Sequence, residues 1–346
     1  METGGLLQQL PEQGRLLPPL STCWGASEGA AGMANQVRGI AAALGVSLDL
    51  HTTVLKYPWR WFSPNFVPWV PQVFVDSQQF SGEPRLIVSC GRQGAIASLT
   101  WKRRLKDRVF TVHIQDAKVS PDHFDLVCVP EHDDLRGPNV VTTLGAVHHI
   151  SPARLAEARA AGPRFGLERL GPQFVAVLIG GPSRVYAYSD SDYQQFSERL
   201  RSLVRAGVRL AILPSRRSSP QWVTRLQHEF GQDQYVWDLV SPNPYCEALA
   251  LCLHLVVTCD SVSMISEAAA TEKPLYIAYL TERRSARRLG KFHRSMESAG
   301  IARPFDGTLA HWTYASPDTT AVVAAAIRER MQRTTSLPSN TSASRG

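Results

Sequence analysis

The residues best suited to chemistry fall in short runs that follow apolar stretches. In residues 255–271 (LVVTCDSVSMISEAAAT) an apolar run ends at Thr258, and Asp260-Ser261-Val262-Ser263 opens a helical pattern. Asp260 or Ser261 is suited to cap that helix. The free N–H groups and dipole at such a start favour a phosphate. Glu267, one to two turns further in, is spaced to accept hydrogen bonds from a ribose diol. A well-capped helix with no ligand would carry the same residues.

Other runs offer matching chemistry. Gly180-Gly181-Pro182-Ser183-Arg184 follows the apolar stretch Phe174–Ile179, and its glycines let the backbone come close to a ligand. Ser183 and Arg184 add donors. Pro214-Ser215-Arg216-Arg217-Ser218-Ser219-Pro220 follows Arg209–Leu213. Adjacent arginines there can grip a diphosphate through paired hydrogen bonds. Asn243-Pro244-Tyr245 reads as a helix start, with Asn243 as cap and proline in the first turn.

In the first half, Gly25-Ala26-Ser27-Glu28-Gly29-Ala30-Ala31-Gly32 reads as a glycine-rich loop before an amphipathic helix that carries Gln36. Cys90-Gly91-Arg92-Gln93-Gly94, His113-Ile114-Gln115-Asp116 and Pro130-Glu131-His132-Asp133-Asp134 end later apolar runs. Glu28, Asp116 and His132 are the candidate proton acceptors for a reacting hydroxyl. His132 beside Asp133 or Asp134 resembles a metal-ligand pair, but further ligands at recognisable spacing are missing, so no metal is expected. HExxH, P-loop and zinc-finger patterns are absent from the sequence.

These runs need elements to position them. Strands are expected at Leu86–Cys90, Val109–Ile114, Asp125–Val129 and Asn139–Thr142, then at Phe174–Ile179, Arg209–Leu213, Tyr235–Trp237, Leu255–Thr258 and Pro274–Ala278. Helices are expected at Ala31–Leu44, Ala95–Lys106, Asp192–Ala206, Gln221–Phe230, Val262–Ala270 and Thr319–Met331. In the first of these helices Met33, Val37, Ile40, Ala41 and Leu44 share one face. Alternating strands and helices imply parallel sheets covered on both faces, with ligands beyond the carboxyl ends of the strands. The expected fold is therefore α/β, two Rossmann-like domains facing a cleft. The domains would span 21–165 and 166–332, with a seam at Ala160–Pro172 and disordered tails over 1–20 and 333–346.

Composition narrows the rest. The chain has 346 residues, 37 Lys+Arg against 30 Asp+Glu, and 44% hydrophobic residues, which excludes a predominantly disordered chain. No apolar run approaches the ~18 residues of a membrane span. The start lacks a basic, then apolar, signal pattern, and the six cysteines are scattered without a CxxC pair, so reduced, mostly buried thiols and a cytoplasmic setting are expected. Trp101–Arg108 reads as a solvated helix face. The denser basic run Arg283–Arg294 (RRSARRLGKFHR) is the candidate for peripheral contact with an anionic membrane, and nucleic acid is not an expected partner.

Taken together, GMANQVRGIAAALG, KYPWRWFSPNF, VSCGRQGAIAS, the PEHD tract, VAVLIGGPSRVY, PSRRSSP, VWDLVSPNPY and DSVSMISEA occur in an order that resembles the mitochondrial fission ELM1-like family, from about Trp24 to Tyr314. That family is similar to the GT-B glycosyltransferases, whose nucleotide-sugar site lies between two Rossmann-like domains. The resemblance implies that Gly181, Ser183, Ser215, Arg216, Arg217, Asn243, Asp260, Ser261 and Ser263 surround a donor diphosphate, with Glu267 near its ribose. It implies no cofactor and no metal, the nucleotide-diphospho-sugar being a substrate. The first loop has no His, which leaves proton removal to Glu28 or Asp116, with His132 a further candidate. Cys259 stands where a glycine would be usual.

The implied function is nucleotide-sugar-dependent glycosyl transfer. The alternative, implied by plant members, is a non-enzymatic adaptor that recruits a dynamin-related GTPase to the mitochondrial outer surface, if the source is eukaryotic. A nucleotide-sugar epimerase would be expected to show a GxxGxxG loop, and none is present.

Overall fold

The computed structural model describes residues 22–336. Six parallel strands form a first sheet: β1 (Thr22–Ser27), β2 (Ser47–Thr52), β3 (Leu86–Cys90), β4 (Phe110–Ile114), β5 (Leu126–Pro130) and β6 (Val140–Thr143), in the order β2-β1-β3-β4-β5-β6. Helices α1 (Ala31–Leu44) and α2 (Gly91–Leu105) cover its faces, and α3 (Pro152–Ala161) follows. A second parallel sheet contains β7 (Phe174–Ile179), β8 (Arg209–Pro214), β9 (Tyr235–Val236), β10 (His254–Thr258), β11 (Leu275–Ala278) and β12 (Ala302–Pro304), ordered β12-β11-β10-β7-β8-β9. Its helices are α4 (Asp190–Arg205), α5 (Pro220–Phe230), α6 (Tyr245–Leu251), α7 (Val262–Ala269) and α8 (Arg287–Ser298), and the chain continues into α9 (Thr319–Ser336). The expected α/β architecture of two Rossmann-like halves is the one observed.

Local sequence accounts for the elements. Helix α1 buries Val37, Ile40 and Ala41 and stops at Gly45, whose φ of +72° is open to glycine at low cost. Helix α4 starts with a capping box between Ser189 and Asp192 and buries Tyr193, Phe196, Leu200 and Leu203 at helical spacing. Strand β7 is buried along its whole length, as a central strand of a doubly covered sheet must be. Pro304 falls on the edge strand β12, where the missing N–H costs no ladder bond. The six cysteines are free thiols, five of them buried.

Strand β1 carries Gly25, a residue type that reads as a turn in sequence. It belongs to the strand, not to a loop: a Cβ there would lie 2.7 Å from Leu50 and 2.8 Å from Val37, so glycine lets α1 close onto the sheet. Ile150, Leu155 and Ala158 join the core of the second sheet and α3 packs on α6, so the chain has changed domains before the expected seam at Ala160–Pro172. Helix α9 returns: Val323 and Ile327 are buried with Val37, Ile40 and Val147, against α1 and β6. Apolar periodicity does not reveal which sheet a helix covers. Tail residues 1–20 and 337–346 lie outside the described residues, whereas 333–336 continue α9.

Candidate functional site in the interdomain cleft

In the second domain the loops after β7, β8 and β10 are tied to one another. The Asp260 side chain is wholly buried and accepts hydrogen bonds from Gly181 N–H (3.0 Å), the Thr258 hydroxyl (2.8 Å) and the Tyr188 hydroxyl (2.5 Å), while Arg217 approaches at 3.4 Å. The hydroxyls of Ser215 and Ser218 donate to the Gly180 carbonyl at 3.2 and 2.5 Å. A Cβ on Gly180 would fall 2.1 Å from Asp260, and one on Gly181 would fall 1.8 Å from the Arg217 carbonyl, so both glycines serve this loop-to-loop contact. Ser183 accepts from the N–H groups of Val185 and Tyr186. Asn243 accepts from Tyr245 N–H at the entry to α6. Asp260, Ser183, Ser215 and Asn243 therefore hold loops in place, and Arg216 and Arg217 stand exposed.

Ser261 caps α7 by accepting from Met264 N–H at 3.4 Å. The first N–H groups of that helix have no intrahelical acceptor and make a locally positive end. Ser263 faces the other domain, where Gln36 donates to its hydroxyl at 3.4 Å. Gln36 in turn accepts from Gln115 at 3.3 Å. Glu267, on the same helix, is buried and accepts from the Tyr245 hydroxyl at 2.5 Å. Burial pushes its carboxyl up to about 7, against the Tyr245 bond that lowers it. His149 Nδ1 comes within 3.7 Å, but burial holds that ring down to about 4, so near neutral pH the two do not form an ion pair.

The first domain supplies the opposing wall. Gln36, Gln115, His132 and Thr143 meet Val262, Ser263 and Arg288 around an enclosed cavity of about 60 Å³. A second, half-open cavity of about 410 Å³ is lined by Asp116, Lys118, His132, Asp133, Asp134, Arg287, Arg288 and Lys291. His132 borders both. Its side chain is 2% exposed and packs on Phe292 of α8, and neither ring nitrogen has a hydrogen-bond partner. Burial, aided by Arg288 and His293, lowers its imidazole to about 4, so it is neutral at physiological pH and one ring nitrogen is open to accept a hydrogen bond.

Charges in this second cavity are paired across the domains. Arg288 contacts Asp133, and Lys291 bonds Asp134 at 2.7 Å. Burial raises the Asp133 carboxyl even with Arg288 beside it, and its second oxygen has no partner. Burial also pushes Asp116 up, but its bonds to Lys118 outweigh this and hold it below the usual carboxylate range.

The sequence-derived residues thus divide. Asp116, His132 and Ser263 line the cleft, and Ser261 shapes the helix start beside it. Glu28 is elsewhere: it accepts from Gln93 N–H at 2.9 Å and caps α2. Such a carboxylate satisfies the very donor an anion would need. Sequence reading missed Gln115, Lys118 and Arg288 as site residues. Arg288 was hidden inside the basic run 283–294, in which Arg288 and Lys291 line the cleft while Arg283, Arg284 and Arg294 are exposed. The available signal was the helical spacing of Arg287, Arg288 and Lys291, beside buried Phe292 and Met296.

The family described as Mitochondrial fission ELM1 matches residues 31–331, from the start of α1 into α9. The chain belongs to that family. The Mitochondrial fission protein ELM1 of Arabidopsis thaliana is 28% identical over 276 residues, which cover 72% of this chain and 64% of the plant protein. The chain thus spans less than two thirds of that ELM1 relative. Among solved structures, a putative UDP-N-acetylglucosamine 2-epimerase from Listeria monocytogenes superposes with a TM-score of 0.55 at 12% identity, covering 90% of this chain and 97% of the epimerase. The S. aureus MnaA-UDP co-structure gives a TM-score of 0.50 at 11% identity, covering 93% and 100%. At such identities the likeness concerns the fold, which is GT-B-like. Among the described residues no helix is long and apolar enough to cross a membrane.

Proposed function

We propose that this ELM1-family protein is a glycosyltransferase that uses a nucleotide-diphospho-sugar. The observation that carries the reading is His132, a buried, neutral imidazole with both nitrogens unpartnered, bordering the same cavity as the positive end of α7. Buried polar atoms without partners are rare, and they accumulate where a ligand completes them.

In the reaction, His132 takes the proton of an acceptor hydroxyl as its oxygen attacks the anomeric carbon. The bond from that carbon to the diphosphate breaks, and the diphosphate leaves with the electron pair. The α7 N–H groups, Ser263 and Arg288 stabilise the charge that develops, which is the largest contribution such sites make. The enclosed cavity of about 60 Å³ is far too small for a nucleotide sugar, so donor entry requires the domains to part and Arg288 to exchange Asp133 for phosphate.

Thermal melting with UDP, other nucleoside diphosphates and their sugars tests this. One of them should raise the melting temperature saturably, and Arg288→Ala and Ser263→Ala should reduce the shift. No stabilisation by any nucleotide or nucleotide sugar would overturn the reading.

The adaptor reading is favoured by one observation: Arg288 and Lys291 are already matched by Asp133 and Asp134. A cleft kept only as a rigid domain contact would look this way. It predicts capture of a dynamin-related GTPase, for a eukaryotic source, unaffected by nucleotide sugars or by His132→Gln.

A further inference from the structure

Residues 53–75, between β2 and β3, are anchored along one face only. Leu55, Val67, Val73 and Phe74 are buried with Ile96 and Trp101. The ends of the stretch are pinned together, Lys56 N–H donating to the Val73 carbonyl at 2.8 Å and Val75 N–H to that of Val54 at 2.9 Å. Arg92 of α2 donates to the carbonyls of Arg60 and Phe62. Pro58, Pro64, Pro68 and Pro71 restrict the backbone further. The segment has a defined shape.

Its outer face is apolar and uncovered. Tyr57 is 67% exposed, Trp61 71% and Phe66 73%, with Phe62, Val54 and Val75 also exposed. Six of the eleven large hydrophobic side chains exposed among the described residues fall in this one stretch, so they form a patch and not a scatter. The rings of Tyr57 and Trp61 meet edge-on at 5.0 Å, and the Arg60 guanidinium lies 5.7 Å from the Trp61 ring. Positions 50–75 contain no Asp or Glu, while Lys56 and Arg60 are exposed. Beside the patch, Trp69 and Leu99 line an open groove of about 400 Å³ with Arg103 and Lys102.

Aromatic side chains with a basic rim match the headgroup zone of an anionic bilayer, where Trp and Tyr settle and Lys and Arg meet phosphate. We propose that the surface formed by Tyr57, Trp61, Phe62 and Phe66, rimmed by Lys56 and Arg60, seats the protein on an anionic phospholipid leaflet. Asn65 donates to the Lys118 carbonyl at 3.1 Å, and Lys118 lines the cleft, so the seat adjoins the mouth of the site. The inference does not depend on sugar chemistry.

The test is co-sedimentation of the full chain with vesicles of phosphatidylcholine, alone or with about one third phosphatidylglycerol, read together with tryptophan emission. The protein should bind the anionic vesicles with a blue shift, and release with salt. Trp61→Ser with Phe66→Ser should weaken binding by at least about ten-fold, because each removed ring forfeits its buried area. Lys56→Glu with Arg60→Glu should abolish the preference for anionic vesicles, which keeps the proposal testable should the first pair misfold. Absence of vesicle binding, binding unchanged in both variants, or self-association of the chain abolished by the aromatic variant without any vesicle binding would overturn it.

Discussion

Arg288 and Asp133 belong to different domains and meet across the cleft, the arginine largely exposed and the aspartate almost fully buried. Each is the other's nearest opposite charge. Asp133→Ala removes the partner while freeing the guanidinium. We expect the unfolding free energy to stay within about 1 kcal/mol of the wild type, because the cost of burying the carboxylate offsets its pairing with Arg288. Nucleoside diphosphate binding should tighten over the same change, as read by calorimetry. A variant that loses both stability and affinity would contradict the exchange of Asp133 for phosphate.

Gly181 has its backbone N–H on Asp260 and no room for a side chain. Gly181→Ala should cost about 1–3 kcal/mol in chemical denaturation, since the obstructing atom is a backbone carbonyl that cannot turn aside. Asp260→Ala should cost a similar amount, leaving the Gly181 N–H unsatisfied.

Stability should depend on pH in two opposed ways. Glu267 is raised to about 7 in the folded protein, so its contribution is complete below pH 4.5 and is lost as pH rises through 7. Glu267→Gln should therefore match the wild type near pH 4.5 and exceed it by about 2 kcal/mol at pH 8, measured by thermal melts. His132, His148 and His149 are lowered to about 4 by burial, so their contribution is intact above pH 6.5 and is lost as pH falls through 4. Acid unfolding should begin in that window.

His132→Gln separates chemistry from binding. Glycosyl transfer should fall by about 10²–10⁴-fold if the imidazole removes the acceptor proton, with donor-induced stabilisation retained. Loss of binding with transfer would make His132 a donor ligand instead.

Much of the architecture was legible because central parallel strands are continuous apolar runs: β3 and β7 were bounded to the residue. Strand β1 was not, because a strand that lets a helix touch it carries Gly25, and glycine reads as a turn. Asp116, His132 and Ser263 follow strands β4, β5 and β10, and all three line the cleft. Glu28 and Asp260 have the same residue types in the same places, yet one caps a helix and the other braces a loop. Only the direction of the side chain distinguishes them, and sequence does not state it. Arg288 needed knowledge of which helix crosses the cleft.

The return of α9 has a mechanical consequence. Two chain segments run between the lobes, and they are stitched to one another: Thr319 donates to the Ala146 carbonyl, while Thr320 bonds both the N–H and the carbonyl of His148. A single tether would let the lobes swing and swivel freely. A doubled, laced one behaves as a flat strap that bends about one axis and resists twist. If the lobes part to admit a donor, such a strap guides them back into the same register and returns His132 to α7.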